Sequence, residues 1–482
     1  MKKYKINPPV YAFLAVILLP LSLIFTSCED EPQTENSSAY LGGEIVNPSS
    51  DHLLLFRNGK LLDTIFLNNR NRFSYKIDDP ASGIYIFKHR PESQPIYLEP
   101  GDSLLMRANT FAFDESLHFS GKGEARNNFL TQMYLDDEKT ADLLLSFYKI
   151  DPDNFASKTD SIRESRLRAL EKVNNKYKLS EDFLSVAKKV INYENYDLRE
   201  RYIYLVNRYN DQFSTRLPEG FMDHREKVSF NEADLQSYPG YKRFIENYLI
   251  NYSFEACKEE KDPSRNCQDF TSHENITSRI EKVNELIQLP VLKNHFLSKL
   301  GVLGIVMARE EEEITKTLNL LKESRIPQKE LSNLEQLGVL QLAYLPGTRV
   351  STVPLINSSG DTIQFKEVIK KPTIVFLWSI YSREHKQYHQ LIDEMREKYP
   401  EINFIGINMD IGEVSKWRLA LNKYGYDPEM EFQVGRTRIK KEFFQYYLNK
   451  LLFLDSTGKV IIGDAFINSP QFETRILEFL NQ

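Results

Sequence analysis

The stretch Pro372-Thr373-Ile374-Val375-Phe376-Leu377-Trp378-Ser379-Ile380-Tyr381-Ser382-Arg383-Glu384-His385 contains a change from strand to helix. Residues 373–378 form a nearly continuous apolar run, which is typical of a strand buried on both faces. Residues 382–399 read as a helix, and a second buried strand at 404–408 is followed by a helix at 414–424. Apolar strands that alternate with helices predict a central sheet covered by helices on both faces.

Residues 39–482 divide into three regions with different patterns, so the predicted fold class is multidomain. Residues 39–123 contain short strands with frequent turn signals, among them Asn58-Gly59, and predict a small all-β sandwich. Residues 124–344 have apolar residues at three- and four-residue spacing and predict an α-helical middle region. Residues 345–482 form the α/β region, which ends in a hairpin around 455–458 and a closing helix.

The composition excludes several classes of protein. A length of 482 residues suggests about three domains. The formal net charge of −6 argues against a dedicated nucleic-acid binder, which usually has a strongly basic domain. Three cysteines are too few for a disulfide-rich scaffold or a multi-cysteine metal centre. We expect neither a nucleic-acid partner nor a cofactor.

The N-terminus has the pattern of an export signal. Three lysines precede an apolar run at 11–25, which is short for a membrane span, and Thr26-Ser27-Cys28 follows. This order resembles a bacterial lipoprotein signal, which implies cleavage after residue 27 and a lipid anchor on Cys28. An uncleaved anchor helix is the alternative. Residues 28–38 are acidic and polar, which predicts a flexible tether or, by resemblance, a signal for export to the cell surface.

The C-terminal region resembles the thioredoxin-like module of the TlpA family of envelope disulfide reductases. The resemblance rests on the order and spacing of matching segments: Pro346-Gly347, 355–361, 372–378, 404–410, Trp417 and 451–459 with Phe453-Leu454-Asp455-Ser456-Thr457-Gly458-Lys459. The strands of residues 39–123 are similar to the β-rich domain that precedes such modules in many envelope lipoproteins. The resemblance implies a location in the bacterial cell envelope, at the outer membrane, facing either the periplasm or the exterior.

The chain departs from that family at the active site. The family chemistry needs two cysteines at the start of a helix, one to attack as a thiolate and one to resolve the mixed disulfide. Aligned on Trp378, the two cysteine positions are Ser382 and His385. The family's cis-proline position, six residues before Asp455, is Asn449, where we expect a trans peptide bond because a non-proline cis bond costs about 2.5–4 kcal/mol.

Two other chemistries are open at these positions. Ser382 and His385 would be neighbours on a helix and could form a hydrolytic pair, but we favour Ser382 as the helix N-cap, since no oriented base or oxyanion hole is indicated. His385 and His389 have the i, i+4 spacing of two zinc ligands. A third ligand is not indicated, and we favour a solvated pair on an exposed helix face.

The other two cysteines, Cys257 and Cys267, lie in a polar segment between helical runs. Once Cys28 is acylated they are an even number in an oxidising compartment, so we expect a structural disulfide. A displaced redox pair is the alternative.

These observations favour a lipid-anchored envelope protein whose degenerate thioredoxin-like domain binds a protein or peptide partner without catalysis. Trp378, Tyr381 and Asn449 are the candidate residues of the binding groove. The alternative is a thiol–disulfide oxidoreductase that acts through Cys257 and Cys267 or through a partner's cysteines. A hydrolase or metal site at Ser382, His385 and His389 is a third class.

Overall fold

The computed structural model describes residues 38–144, 147–262, 266–350, 354–436 and 440–481. The predicted signal segment, the lipidation site Cys28 and all but the last residue of the tether lie outside these ranges. The described chain divides into two compact units. The first contains residues 38–56 and 61–135, and the second contains residues 57–60 and 136–481. The helical region from residue 136 onward and the C-terminal sheet therefore belong to one unit.

Two four-stranded sheets enclose the core of the first unit. Their strand orders are β4-β1-β7-β8 and β3-β2-β5-β6. The turn between β2 and β3 is the predicted Asn58-Gly59 pair, and both residues have positive φ angles (49° and 74°), as a two-residue hairpin turn requires. The elements are β1 (Ala39–Val46), β2 (His52–Arg57), β3 (Lys60–Phe66), β4 (Arg72–Ile77), β5 (Gly83–His89), β6 (Glu92–Leu98), β7 (Ser103–Asn109), α1 (Phe113–Ser116) and β8 (His118–Lys122).

The middle of the chain is helical, as its spacing predicts. Its longest helix, α4, starts where the Ser180 hydroxyl accepts a hydrogen bond from the Phe183 amide. The helices are α2 (Glu124–Leu144), α3 (Pro152–Tyr177), α4 (Glu181–Tyr209), α5 (Asp211–Ser214), α6 (Pro239–Glu260), α7 (His273–Leu286), α8 (Pro290–Val306), α9 (Glu311–Glu323) and α10 (Gln328–Leu342).

A buried carboxylate fixes α4 against its neighbours. Glu200 is fully buried and accepts hydrogen bonds from Arg225, His224 and the Asn251 amide, at 2.6–2.8 Å. Burial raises the pKa of Glu200, but the bonds from Arg225 and His224 outweigh it and lower the pKa to about 2. The charge is therefore fully paired and has a structural role.

The C-terminal region contains a seven-stranded mixed sheet with the order β10-β9-β13-β12-β11-β14-β15. Strand β11 lies inside this sheet, parallel to β12 and antiparallel to β14, and all six of its residues are buried. The elements are β9 (Pro354–Ile356), β10 (Thr362–Gln364), α11 (Phe365–Val368), β11 (Thr373–Trp378), α12 (His385–Lys398), β12 (Asn403–Asn408), α13 (Val414–Tyr424), β13 (Glu431–Val434), α14 (Lys441–Phe444), β14 (Lys450–Leu454), β15 (Val460–Phe466) and α15 (Phe472–Leu480).

A buried lysine joins this sheet to the helical region. Lys450, at the start of β14, donates to the Val306 carbonyl oxygen at 2.5 Å and to Gln341 Oε1 at 3.3 Å. Tyr447 donates to the same Gln341 oxygen at 3.1 Å. Burial lowers the pKa of Lys450 to about 8, although Asp464 raises it at longer range. One ammonium group thus bridges the end of α8, the end of α10 and the sheet.

The pH dependence of stability tests this burial. Between about pH 8 and pH 10.5 the unfolded chain holds a proton at Lys450 that the folded chain has lost, so stability rises with pH in this range. Lys450→Met removes that dependence. The unfolding free energy of the parent minus that of the variant should increase by about 2 kcal/mol between pH 7 and about pH 9.5.

Urea titrations followed by tryptophan fluorescence measure this difference, and the tyrosines with raised pKa values affect both proteins alike. Lys441→Met, on an exposed side chain, is the control and should give a difference that does not depend on pH. A constant difference for Lys450→Met would show that the ammonium is solvated.

Candidate functional site

The segment between β11 and α12 is a series of turns that Asp410 holds in place. The Asp410 carboxylate accepts hydrogen bonds from the Ser379 hydroxyl and from the Ile380 amide, both at 2.7 Å. Asn408 donates to the same carboxylate at 2.8 Å, and Gln433 donates to Asn408 at 2.9 Å. These buried bonds anchor the start of the segment, so residues 379–384 do not enter the helix.

The predicted helix start at Ser382 is therefore wrong. Helix α12 begins at His385, and Glu384 is its N-cap residue without a side-chain capping bond. The Ser382 hydroxyl instead accepts from the Glu384 amide and donates to the Glu384 carboxylate, both at 3.3 Å. Ser382 thus stabilises the turn before the helix, and its partner is a carboxylate and not the imidazole of His385. The described contacts do not form the hydrolytic pair.

His385 and His389 are buried, so the favoured prediction of a solvated pair is also wrong. Only 4% and 3% of their surfaces are exposed. The reason is the helical period: His385, Tyr388, His389, Ile392 and Met395 form the face of α12 that packs inward. The spacing that suggested a pair of zinc ligands is the spacing of a packing face.

His385, at the second dithiol position, is built into the core. Its Nδ1 atom lies 2.7 Å from the Tyr426 hydroxyl, and its ring stacks on Trp378 with the ring centroids 5.6 Å apart. Burial, with smaller contributions from His389 and Lys386, lowers the pKa of His385 and favours the neutral imidazole. The imidazole therefore fills a position where the family chemistry needs an accessible thiol.

His389 and Glu431 face each other in the core. The Nδ1 atom of His389 lies 2.6 Å from the His385 carbonyl oxygen, which can only accept, so Nδ1 carries a hydrogen. The Nε2 atom then faces Glu431 Oε1 at 3.3 Å. Among the described residues neither of these two buried atoms has a hydrogen-bond partner, so this close contact is the polar interaction that each of them has.

Glu431 is the residue that the sequence analysis missed. It is fully buried in β13, its Oε2 atom accepts from Trp378 Nε1 at 2.8 Å, and its carboxylate lies over Gly406. A Cβ atom at residue 406 would come within 2.3 Å of that carboxylate, so only glycine fits there. The sequence contains one signal that could have identified it: a glutamate and a glutamine alternate with apolar residues in the short run Glu431-Phe432-Gln433-Val434.

The two histidines do not form a metal centre with a third residue. Among the described residues, no group of three or more histidine, cysteine, aspartate or glutamate side chains could hold a metal ion. The Nδ1 atoms of His385 and His389 are already engaged, one with Tyr426 and one with a backbone carbonyl. The arrangement instead suits a structural polar cluster.

The groove candidates fall into two groups. Tyr381 is 65% exposed, and its hydroxyl accepts from Lys416 at 3.1 Å. Trp378 has 1% of its surface exposed and lies beneath the segment that links β11 to α12. Its prediction as a groove residue is therefore wrong. Asn449 has a φ of 74°, a left-handed conformation that asparagine tolerates, and the peptide bond before it is trans. Its carbonyl oxygen accepts from the Ile467 amide at 2.8 Å.

A cleft of about 580 Å³ lies beside α12, between that helix and the loop after β15. The wall of the cleft includes two exposed acidic residues, Glu394 in α12 and Glu384 at the N-cap of that helix. The complete lining is Glu384, Gln387, Tyr388, Gln390, Leu391, Glu394, Ile467, Asn468, Ser469 and Pro470. Because Ile467 is bonded to Asn449, the Asn449 loop and one wall of the cleft are part of one hydrogen-bonded layer.

The remaining cysteines are bonded to each other. Cys257, near the end of α6, is buried, and its sulfur is 2.01 Å from that of Cys267. The bridge closes a short loop between α6 and α7. The described part of the chain contains no helix that is long and apolar enough to cross a membrane.

The strand order defines a thioredoxin-like region, and Ser382 and His385, the two positions predicted for a dithiol, carry no thiol. The strands β12-β11-β14-β15, the crossover through α12 and the closing helix α15 have the thioredoxin-like arrangement. No protein-family model matches the chain, and no curated protein matches it either.

Several solved structures are similar to part of the chain. One is a thioredoxin domain of a thiol-disulfide oxidoreductase from Bacteroides vulgatus, with 13% identity, 28% of this chain and 98% of that chain covered, and a TM-score of 0.23. A thiol-disulfide oxidoreductase from Bacteroides fragilis has 17% identity, coverage of 27% and 98%, and a TM-score of 0.23. A thiol:disulfide interchange protein from Bacteroides sp. has 14% identity, coverage of 28% and 91%, and a TM-score of 0.22. The thioredoxin-like assignment here rests on strand order and on the residues themselves.

Substitutions at Glu431 test the polar contacts of its side chain. Glutamine can accept from the Trp378 indole and place an amide N–H opposite His389 Nε2, so Glu431→Gln should change the unfolding free energy by less than about 1 kcal/mol. Glu431→Leu leaves the Trp378 indole N–H unpaired in the core. It should destabilise the region by about 1–3 kcal/mol.

Urea titration with tryptophan fluorescence measures both variants. The only two tryptophans, Trp378 and Trp417, lie in the C-terminal region, so the signal reports on that region. Glu401→Gln, on an exposed residue, controls for the loss of a carboxylate. If Glu431→Leu were as stable as Glu431→Gln, the polar contacts would not contribute to stability.

Proposed function

We propose that this chain is a cell-envelope lipoprotein, anchored through a lipid on Cys28, whose thioredoxin-like domain binds an extended polypeptide of a partner protein and has no thiol–disulfide activity. The observation that carries the proposal is His385, at the second dithiol position. Its imidazole is buried, stacked on Trp378 and hydrogen-bonded to Tyr426. Ser382, at the first position, has no redox couple.

The loss of chemistry leaves a surface suited to binding. Tyr381 presents an exposed aromatic ring, and the cleft beside α12 adds amides, hydroxyls and two carboxylates around Tyr388 and Leu391. Amide and hydroxyl groups can pair with the backbone of an extended peptide, and aromatic rings provide apolar contact area. The proposed occupant is therefore a segment of unfolded or extended chain.

The disulfide supports an extracytoplasmic location. Disulfides form and persist in the bacterial periplasm and at cell surfaces, and they are rare in the cytosol. Cys257 is buried within the helical region, so it is poorly placed to attack a partner's disulfide. We assign the bridge a structural role.

Reduction of insulin disulfides under dithiothreitol tests the absence of redox activity. The chain from Glu29 to Gln482 and its Cys257→Ser/Cys267→Ser variant should both reduce insulin at the background rate, because neither has an accessible thiolate. An active thioredoxin in a parallel reaction confirms the assay. If the parent were active and the double variant inactive, the bridge would be a catalytic pair and the alternative oxidoreductase function would hold.

Site-specific photocrosslinking tests the binding function. With p-benzoylphenylalanine in place of Tyr381, the chain should crosslink to carboxymethylated α-lactalbumin, a permanently unfolded polypeptide, and not to its native, folded form. The matched control places the same photoprobe at Phe111, which is 84% exposed and lies in the β sandwich. Equal crosslinking at the two positions, or none at Tyr381, would contradict the proposal.

A further inference from the structure

The two faces of the C-terminal sheet are filled differently. On one face Ile374, Phe376 and Trp378 pack into a continuous apolar cluster with residues of α12 and α15. On the other face Val375 and Leu377 of the same strand border a cavity of about 80 Å³. Its lining is Leu340, Ala343, Tyr344, Val350, Leu355, Phe365, Val375, Leu377, Ile407, Met409, Val434, Phe444, Lys450 and Leu452.

Lys450 is the only charged side chain in that lining. It is 1% exposed, and two of its three N–H groups are taken by the Val306 carbonyl and Gln341. Within the described ranges, no carboxylate lies within 4.0 Å of the ammonium, and no third oxygen acceptor contacts it. Asp464 acts only at longer range, and the rings of Tyr447 and Tyr344 lie 5.2 and 5.6 Å from the nitrogen.

This arrangement leaves a buried cation without a counter-ion beside an unfilled apolar space. A buried charge is costly unless it is paired and hydrogen-bonded. A carboxylate in the cavity would supply both the opposite charge and the missing acceptor. The apolar walls would gain contact with a hydrocarbon tail, which fills space that the side chains leave open.

The cavity limits the length of the tail. A cavity of about 150 Å³ accommodates benzene, which has six non-hydrogen atoms, so one of about 80 Å³ holds about three or four such atoms, the size of acetate. One lining residue, Ala343, is exposed and lies just after the end of α10, which identifies the mouth of the cavity. We propose that this cavity binds a monocarboxylate of the size of acetate, with its carboxylate on the Lys450 ammonium and its alkyl group against the apolar wall of Val375, Leu377 and Ile407.

The proposal is independent of the polypeptide-binding function, since the cavity lies on the sheet face opposite to the one that packs against α12. A small carboxylate bound here would touch Lys450, which bridges the sheet to α8 and α10. Binding would therefore stabilise the junction between the helical region and the sheet.

Saturation-transfer NMR on the chain from Glu29 to Gln482 tests this site, with acetate as the probe. Acetate should receive saturation from the parent protein, and acetamide, its neutral isostere, should bind at least tenfold more weakly. Lys450→Met should weaken acetate binding tenfold or more. Lys441→Met, the matched control on an exposed lysine, should bind acetate like the parent.

Ala343→Phe keeps Lys450 and blocks the mouth at an exposed position, so it tests the site even if Lys450→Met does not fold. This variant should also lose acetate binding tenfold or more. Octanoate should bind more weakly than acetate, because its tail exceeds the cavity. The proposal is overturned if the parent transfers no saturation to acetate, or if Ala343→Phe binds acetate like the parent.

Discussion

The carboxylate of Asp410 accepts hydrogen bonds from the Ser379 hydroxyl and the Ile380 amide. The geometry of the segment between β11 and α12 depends on these two bonds. They place the segment after β11 in turns and delay the start of α12 until His385. The residue at which α12 starts determines which of its side chains face the core and which face solvent. His385 and His389 point into the core, while Lys386 and Gln387 remain exposed.

Polar and aromatic side chains around Trp378 and His385 form a connected cluster in the core. The indole of Trp378 donates to Glu431, Glu431 faces His389, and the His389 ring stacks on Tyr426 with centroids 3.5 Å apart. The Tyr426 hydroxyl in turn contacts His385. A buried polar cluster destabilises the fold if some of its groups lack hydrogen-bond partners, and it makes the core rigid if all of them have partners. It favours a domain that presents a fixed surface.

The junction with the helical region depends on a second buried group. Lys450 follows Asn449 directly, and its ammonium contacts the ends of elements that are more than a hundred residues away in sequence. The loop that carries Asn449 is thereby tied to α8 and α10. A ligand that changes the charge balance at Lys450 would act on this junction, and through it on the position of the Asn449 loop.

The sequence alone determined the elements whose residues carry a local signal. The apolar run 373–378 is an inner strand of the sheet, the helix at 414–424 has the predicted bounds, the closing helix is present, and Asn58-Gly59 forms the predicted turn. These features depend on backbone preference and on hydrophobic period, which neighbouring residues define.

Only the tertiary structure decided the role of the polar residues. The start of α12 depends on Asp410, which is 31 residues beyond Ser379, and the burial of His389 depends on Glu431 in another strand. Lys450 is an ordinary lysine in the sequence and a buried ammonium beside a cavity in the fold. The free energy of a charged side chain is set by its solvation and its partners, and a sheet brings those partners together from distant parts of the chain.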